Sequence, residues 1–348
     1  MDFATYKYRD AIENELKRFL PETITTPWVE KNIGKARWVQ DTYALTKALS
    51  TPLADFLSRG GKRWRPMFML MCCEAVGGDV QKALPLTVVP ELIHNATLIA
   101  DDIEDNSDLR RGKPVLHTLF GIDIALNAGE TLYLLPFTAL RDAPLLDAEK
   151  LKAYELIHNH LLTCFFGQAV DIAWHGGHTD IPTEAMYLQM CANKSGSLAC
   201  IAAKLGAVVG GGSEEQIAAL GRFGETAGVV FQIQDDILNI AQHHQIGKGL
   251  GDDIKEGKRT LLVIHTLNVA PEHERKRLLE LLHLHTNDEH LIREAITLIT
   301  KYDSIAYCKK IAVQLAEQAW KDVEGLLPES TAKQELAELA HLLINRVV

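Results

Sequence analysis

The sequence predicts an all-α protein, a single large helical bundle, on three observations. Apolar residues recur at a spacing nearer 3.6 than 2 along most of the chain. Strand signals are nearly absent, and no hairpin turn is flanked by alternating β-branched residues. Glycine and proline fall mostly between the periodic segments, as in "GGD", "HGGHTDIP" and "GGGSEE". Taken in order, helices are expected over 3–19, 36–58, 64–76, 85–106, 118–140, 147–174, 183–209, 213–241, 260–267, 274–285, 288–300, 303–326 and 331–346. The first mixes both charge signs through its apolar positions and so reads as neither signal nor transit peptide. The last carries Leu336, Leu339, Leu342 and Leu343 on one stripe, a core-facing pattern. No internal period suggests a solenoid and no Ser- or Pro-rich linker divides the chain, so one domain over 1–348 is expected.

The chain has 348 residues, 47% apolar and 24% charged, the composition of a soluble globular protein. A net charge of −10 argues against a general nucleic-acid binder, because no basic excess exists to neutralise a phosphate backbone. No uninterrupted apolar run reaches the roughly 18 residues that span a bilayer. The cysteines at 72, 73, 164, 191, 200 and 308 form no CxxC pair, so neither a zinc site nor a disulfide framework is suggested. A reduced, cytoplasmic chain is the expectation.

"LIADDIEDNSDLRRGKPVLH", residues 98–117, sets four acids within five residues and follows them with Arg110, Arg111 and Lys113. Charge runs are usually solvated faces. Here, however, the helix runs apolar for three or more turns before Asp101, and Asp101 and Asp105 share its face with Asp102 alongside. A helix C-terminus already carries partial negative charge, so these carboxylates need a cation, and hard oxygen ligands suit Mg²⁺. On this cluster alone, solvated surface and metal binding both stand. About 130 residues on, "ETAGVVFQIQDDILNI" repeats the pattern with Asp235 and Asp236, and Asn239 follows one turn later. "IGKGLGDDIKEGK" then adds Lys248, Asp253 and Lys258. Carboxylates interleaved with cations suit a metal–diphosphate complex, the metal bridging acid to phosphate and the bases taking the remaining oxygens.

These motifs resemble those of the trans-isoprenyl diphosphate synthases, the polyprenyl synthetase family, most like geranylgeranyl diphosphate synthases. The matches run in family order from "GGKRWRP" (60–66) through the first acidic motif, "GQAVDI" (167–172) and "NKSGSL" (193–198) to "FQIQDDILNI" and "GDDIKEGK". The resemblance implies the isoprenoid synthase fold, a helical bundle around a central cavity across which both acidic patches face one pyrophosphate. It implies that Asp101, Asp102, Asp105, Asp235 and Asp236 hold Mg²⁺, three ions with substrate bound. Asp101, Asp102, Asp105, Lys194, Asp235 and Lys248 are the implied catalytic set. Arg110, Gln168, Asp171, Lys194, Ser195, Gln232, Lys248 and Lys258 would serve the allylic diphosphate, with Asp253 in support. Lys62, Arg65, His94 and Arg111 would grip isopentenyl diphosphate; Arg63 lies in the same motif without an assigned role. A homodimer is implied, by an interface helix the sequence does not identify.

Product length is a packing question. In the family, aromatics four or five residues before the first aspartate stop growth at farnesyl; here Thr97 and Ala96 are small. Each further turn, at 1.5 Å rise per residue, admits about one more isoprene unit. Tyr133 and Phe137, on the next helix, are candidate floors, and geranylgeranyl diphosphate is the expected main product, with longer chains open. Two positions depart from the family pattern: Asn239 where many members have Asp, and Ala100 where others often have His. His175, His178, His243 and His244 read as loop residues, and Cys72 and Cys73 as core. A class I terpene cyclase, a non-catalytic regulatory subunit of a related synthase and a plain helical scaffold are the rival readings. The cyclase would have no use for "GGKRWRP", a silent subunit tends to lose aspartates, and a scaffold leaves both acidic helix ends unexplained.

Overall fold

The computed structural model describes residues 6–177, 181–241 and 251–345, with side chains through Leu343. The described residues are 77% helical, in accord with the all-α expectation. Its contacts divide it into two compact units, residues 1–156 with 205–212, and residues 157–204 with 213–348.

In the first unit, α1 (Arg9–Phe19) buries Ile12 and Leu16 and carries Lys17 and Arg18 in its last turn, where cations suit the dipole. A short helix absent from the sequence reading, α2 (Thr26–Ile33), is started by the Thr25 side chain, which accepts from Trp28 N, and by Pro27 in its first turn. Next, α3 (Thr42–Leu45) passes through a π-helical turn, Thr46–Ser50, into α4 (Thr51–Ser58). Helix α5 (Trp64–Ala75) is buried all round apart from Glu74, which is why its sequence shows no polar stripe.

Helix α6 (Val80–Ala83) and a 3₁₀ turn lead into α7 (Val88–Glu104). The stretch Val80–Glu104 is long and apolar enough to pass as a membrane span by composition, which amends the sequence reading: Glu91, His94 and Asn95 interrupt the run without lowering its mean enough. Two thirds of its most apolar window (67%) is buried inside the protein, as in a core helix. Beyond it lie the hairpin β1 (Leu109–Arg110) and β2 (Lys113–Pro114), then α8 (Leu116–Phe120), α9 (Ile122–Leu134) and α10 (Phe137–Asp142). The single helix expected over 118–140 is thus broken twice, at Gly121 (φ 93°) and at Leu135–Pro136.

The second unit holds most of α11 (Asp147–His175), then α12 (Glu184–Cys191), a π-helical turn at Ala192–Gly196 and the start of α13 (Ser197–Val209). Helix α14 (Glu214–Ile240) begins with a reciprocal cap, Ser213 and Gln216 each accepting from the other's backbone N–H. After α15 (Asp252–Lys255) come α16 (Leu261–Val269), α17 (Glu272–His283), α18 (Glu289–Lys301), α19 (Ser304–Glu324) and α20 (Thr331–Asn345). Helix α14 packs along α19, where Ala312, Ala316 and Ala319 admit it closely and Phe223 meets Trp320 edge-on at 5.8 Å. The Leu336, Leu339 and Leu343 stripe of α20 is buried as the sequence predicts, and Leu342 half-buried. All six cysteines are free thiols and buried.

Candidate active site

The first acidic motif lies where α7 stops. Asn106 is left-handed (φ 49°), Asn106 N donates to Ile103 O and Ser107 N to Asp102 O, the paired bonds of a Schellman ending. Apolar burial drives the helix up to Asp101, and the tolerance of Asn for positive φ ends it directly afterwards. Asp102 is 2% exposed while Asp101 and Asp105 are half-buried. The chain then turns through the hairpin at Arg111 (φ 55°) and Gly112 (φ 74°), the two positive-φ residues of a tight type I′ connection. That turn returns Arg110 onto the acids. Its Nε donates to Asp102 Oδ1 at 2.8 Å, Nη2 donates to the same oxygen, and Nη2 stands 3.6 Å from Asp101 Oδ2.

The residues expected to grip isopentenyl diphosphate gather in the same unit. His94 Nδ1 is buried without a hydrogen-bond partner among the described residues. Burial, then the guanidinium groups of Arg65, Arg111, Arg110 and Arg63, hold its imidazole well below the usual range, so the ring is neutral at pH 7. A neutral imidazole can accept or donate to a diphosphate oxygen without adding charge. Lys62 is exposed, and the Arg65 guanidinium lies 4.7 Å over the Trp64 ring. Gly61 takes a left-handed backbone (φ 139°) that favours glycine, and a Cβ there would stand 3.2 Å from Arg111 Nη2 and 3.4 Å from Arg63 Nη1.

Arg63 has a role the motif did not reveal. Its Nε donates to Glu13 (2.9 Å), Nη1 to Glu91 (2.7 Å) and Nη2 to Leu57 O (2.8 Å), all buried or partly buried. Despite burial, Glu91 and Glu13 hold its pKa above the ordinary value. The Glu91 oxygen also accepts from Asn95 Nδ2, one turn later. The loop before α5 is held by its carbonyls, Gly60 O accepting from Arg111, Gly61 O and Lys62 O from Arg9. A buried acid inside the apolar run of α7 was the available signal for Glu91; nothing in the sequence marked Arg9 or Glu13.

In the second unit the end of α14 turns its two aspartates apart. Asp235 is exposed; Asp236 is buried, accepting from Tyr187 Oη (2.7 Å) and Gln232 Nε2 (2.9 Å). Ser195 Oγ donates to Gln232 Oε1 at 2.9 Å, so three predicted residues form one chain. Tyr187 was not anticipated; no sequence spacing ties it to α14. Lys194 Nζ donates to Asp171 Oδ2 at 2.6 Å, across from α11. Glycines make these approaches: a Cβ at Gly167 would fall 2.3 Å from Lys194 N, and one at Gly228 would fall 2.7 Å from Gly196 Cα. Lys194 and Ser195 sit on the π-helical turn, an irregularity common at functional sites. Gln168 is half-buried one helical step from Asp171.

Asn239, the departure from the family pattern, accepts from Asp253 N through its side chain (3.1 Å) and from Gly251 N through its carbonyl (3.0 Å). An uncharged acceptor is sufficient for both bonds. Lys258 Nζ lies 2.5 Å from Glu256 Oε2. Lys248, His178, His243 and His244 lie outside the described residues. His175 is half-buried in the last turn of α11.

Among the described residues no three His, Cys, Asp or Glu side chains are already grouped to hold a metal; Arg110 draws Asp102 aside, and Tyr187 with Gln232 draws Asp236. The donor set nonetheless suits a divalent ion: only hard carboxylate oxygens, crowded at helix ends. Burial, then Asp253 and Asp235, push the Asp236 carboxyl up to about 8 against the pull of Tyr187 and Gln232, a like-charge crowding that a dication relieves.

Of the residues placed at chain length, Ala96 is buried and Thr97 Oγ1 donates to His94 O at 2.8 Å. Helix α9 closes on α7 at Gly129, whose Cβ would stand 3.2 Å from Ile99. Tyr133, half-buried, lies in the last turn of α9, whereas Phe137 opens α10 beyond the proline break; the two do not share a helix. Phe137 stacks on Tyr154 at 5.7 Å.

The polyprenyl synthetase family model matches residues 46–299. The chain is 37% identical to a short chain isoprenyl diphosphate synthase of Methanothermobacter thermautotrophicus, over 83% of this chain and 88% of that one. It is 31% identical to a nonaprenyl diphosphate synthase of Mycobacterium tuberculosis, over 94% and 96%. Among solved structures it matches the geranylgeranyl pyrophosphate synthetase of Pyrococcus horikoshii with a TM-score of 0.83 at 34% identity, covering 99% and 98%. It also matches a Caulobacter crescentus polyprenyl synthase, complexed with calcium and isoprenyl diphosphate, at 0.80 and 25%, covering 97% and 96%. The GGKRWRP loop, the two aspartate-bearing helix ends and the π-turn lysine all lie inside the matched span, and the chain belongs to the polyprenyl synthetase family of trans-prenyltransferases.

Proposed function

We propose that the protein condenses isopentenyl diphosphate with an allylic diphosphate (dimethylallyl, geranyl or farnesyl), head to tail and all-trans, with geranylgeranyl diphosphate or a somewhat longer chain as main product. The observation that carries this reading is in the first unit. Carboxylates ending α7 and a cluster of arginines around a neutral His94 are brought together by one hairpin, as an acid-held metal beside a bound diphosphate requires.

In this reading Lys62, Arg65, His94 and Arg111 bind isopentenyl diphosphate. Arg110, Gln168, Asp171, Lys194, Ser195, Gln232, Lys248 and Lys258 serve the allylic diphosphate, with Asp253 in support. Asp101, Asp102, Asp105, Asp235 and Asp236 would hold Mg²⁺, which supplies positive charge to the diphosphate leaving group. The allylic C–O bond breaks heterolytically and its electron pair leaves with the diphosphate. Arg110 and Lys194 stabilise the charge developing there more than they stabilise the intact substrate. At an effective dielectric of 20, one unit pair at 4 Å is worth about 4 kcal/mol, so a few contacts reach the ~8 kcal/mol that enzymic catalysis needs at minimum. The isopentenyl double bond attacks the allyl cation, and the proton it loses passes to the departing diphosphate, so no side-chain base is needed.

We further place the protein in the cytoplasm as a homodimer. Along α11, Leu162, Phe165, Phe166 and Val170 form an exposed apolar row that suits a second copy. Purified protein incubated with Mg²⁺, isopentenyl diphosphate and each allylic starter should yield C20 diphosphate, and chelation should abolish it. Absence of elongation from all three starters overturns the reading.

A further inference from the structure

We propose that the segment between α2 and α3 docks the protein on an anionic lipid surface. With the adjoining ends of α2 and α3 it presents the most exposed large apolar side chains of the first unit in a short run: Ile33 and Trp38 are each 75% exposed, Tyr43 73% and Val39 fully. A soluble surface scatters such residues singly. Here they are interleaved with cations, since residues 31–47 hold Lys31, Lys35, Arg37 and Lys47 against one acid, Asp41. Asp41 is engaged in capping α3 at Ala44 N (2.9 Å). Lys31 stands 3.7 Å from Asp142, while Lys35, Arg37 and Lys47 are exposed.

The rings and the cations are already paired. The Arg37 guanidinium lies 4.6 Å from the Trp38 ring centre and Lys47 Nζ 5.6 Å from that of Tyr43. An amphipathic ring beside a basic head is the arrangement that sits at the headgroup level of a bilayer, ring inward and cation among phosphates. The base of the segment is held: Arg141 donates to Lys31 O (2.7 Å) and Asn32 O (3.0 Å), and Thr138 Oγ1 donates to Asn32 Oδ1 (2.9 Å). Gly34 (φ 85°) ends α2 and lets the chain leave it.

Charge decides between occupants. The segment is locally basic on a chain of net charge −10, so anionic lipid favours this segment over the acidic average of the chain. A bilayer also suits the proposed reaction, whose product joins a long apolar chain to a charged headgroup, although docking does not depend on which product is made. No residue of this segment belongs to the proposed substrate site, so vesicle binding can fail while elongation succeeds, and the reverse.

The test is co-sedimentation with vesicles of phosphatidylglycerol and of phosphatidylcholine, without substrates, with oligomeric mass measured in parallel. Wild-type protein should bind the anionic vesicles and lose binding as salt rises. Each charge removed should weaken it about fivefold, so Lys35→Glu/Arg37→Glu should abolish it. Trp38→Ala/Val39→Ser should weaken it at least tenfold, with elongation in solution unchanged. Equal binding to both lipids, no binding, or binding indifferent to both variants overturns the proposal. So does a fall in oligomeric mass in Trp38→Ala/Val39→Ser, which would assign the face to a second copy.

Discussion

Arg63 and Lys62 are neighbours in one motif with opposite duties, and substitution separates them. Arg63 donates to Glu91 across a pair almost wholly out of solvent, side chains 2% and 3% exposed. Removing one partner leaves the other charge buried alone, so Glu91→Ala should cost about 3–5 kcal/mol of stability by denaturant unfolding. Lys62→Ala should leave unfolding unchanged and raise KM for isopentenyl diphosphate about tenfold or more, since Lys62 is exposed. Asp102→Ala should reduce turnover by about a hundredfold to a thousandfold, the loss typical of a group that stabilises developing charge. The acidic cluster around Asp102 stood out in the sequence because charge beside an apolar run demands a counter-ion, whereas Arg110 and Lys194 were singled out only by motif resemblance. Tyr187 was not legible, because its partner Asp236 lies 49 positions away and only the fold joins them.

At the scale of elements, periodicity located nearly every long helix, since burial on one face writes a 3.6 repeat into the chain. What it missed had other causes. Helix α2 is short and started by local capping, and the hairpin is two residues a strand, too brief for alternation to show. The π-helical turn at Ala192–Gly196 changes the step of a helix without changing its composition. That turn depends on close backbones, so Gly228→Ala, placing a methyl 2.7 Å from Gly196 Cα, should destabilise by about 1–3 kcal/mol and lower activity through displaced Lys194 and Ser195. Helices α7 and α9 carry the length prediction. Thr97→Phe should shorten the main product by at least one isoprene unit and Tyr133→Ala lengthen it, read by chromatography of the dephosphorylated products. An unchanged product from Tyr133→Ala removes that ring from the floor.

For the whole molecule, His160 makes stability sensitive to acid. Burial, then Lys204, lowers its pKa to about 4; its Nε2 lies 3.0 Å from Lys204 Nζ, which donates to it. The unfolded chain takes up this proton near pH 6.5 and the folded chain resists until about 4. Between those values the unfolded state binds more protons, so stability is full above pH 6.5 and falls as the pH drops toward 4. Urea midpoints across this window should show the slope, and His160→Gln should flatten it. The division of the chain into two compact units was invisible to composition: two of its boundaries fall within helices α11 and α13, and the third lies in the short glycine turn before α14.

The tight hairpin after α7 leaves no slack. Arg110 and Arg111 are consecutive, yet one turns to a carboxylate and the other to a backbone carbonyl, because Arg110 ends the first strand while Arg111, left-handed at φ 55°, opens the turn. One residue gained or lost ahead of them would put a different side chain at each post. This stretch therefore tolerates replacement more readily than insertion or deletion.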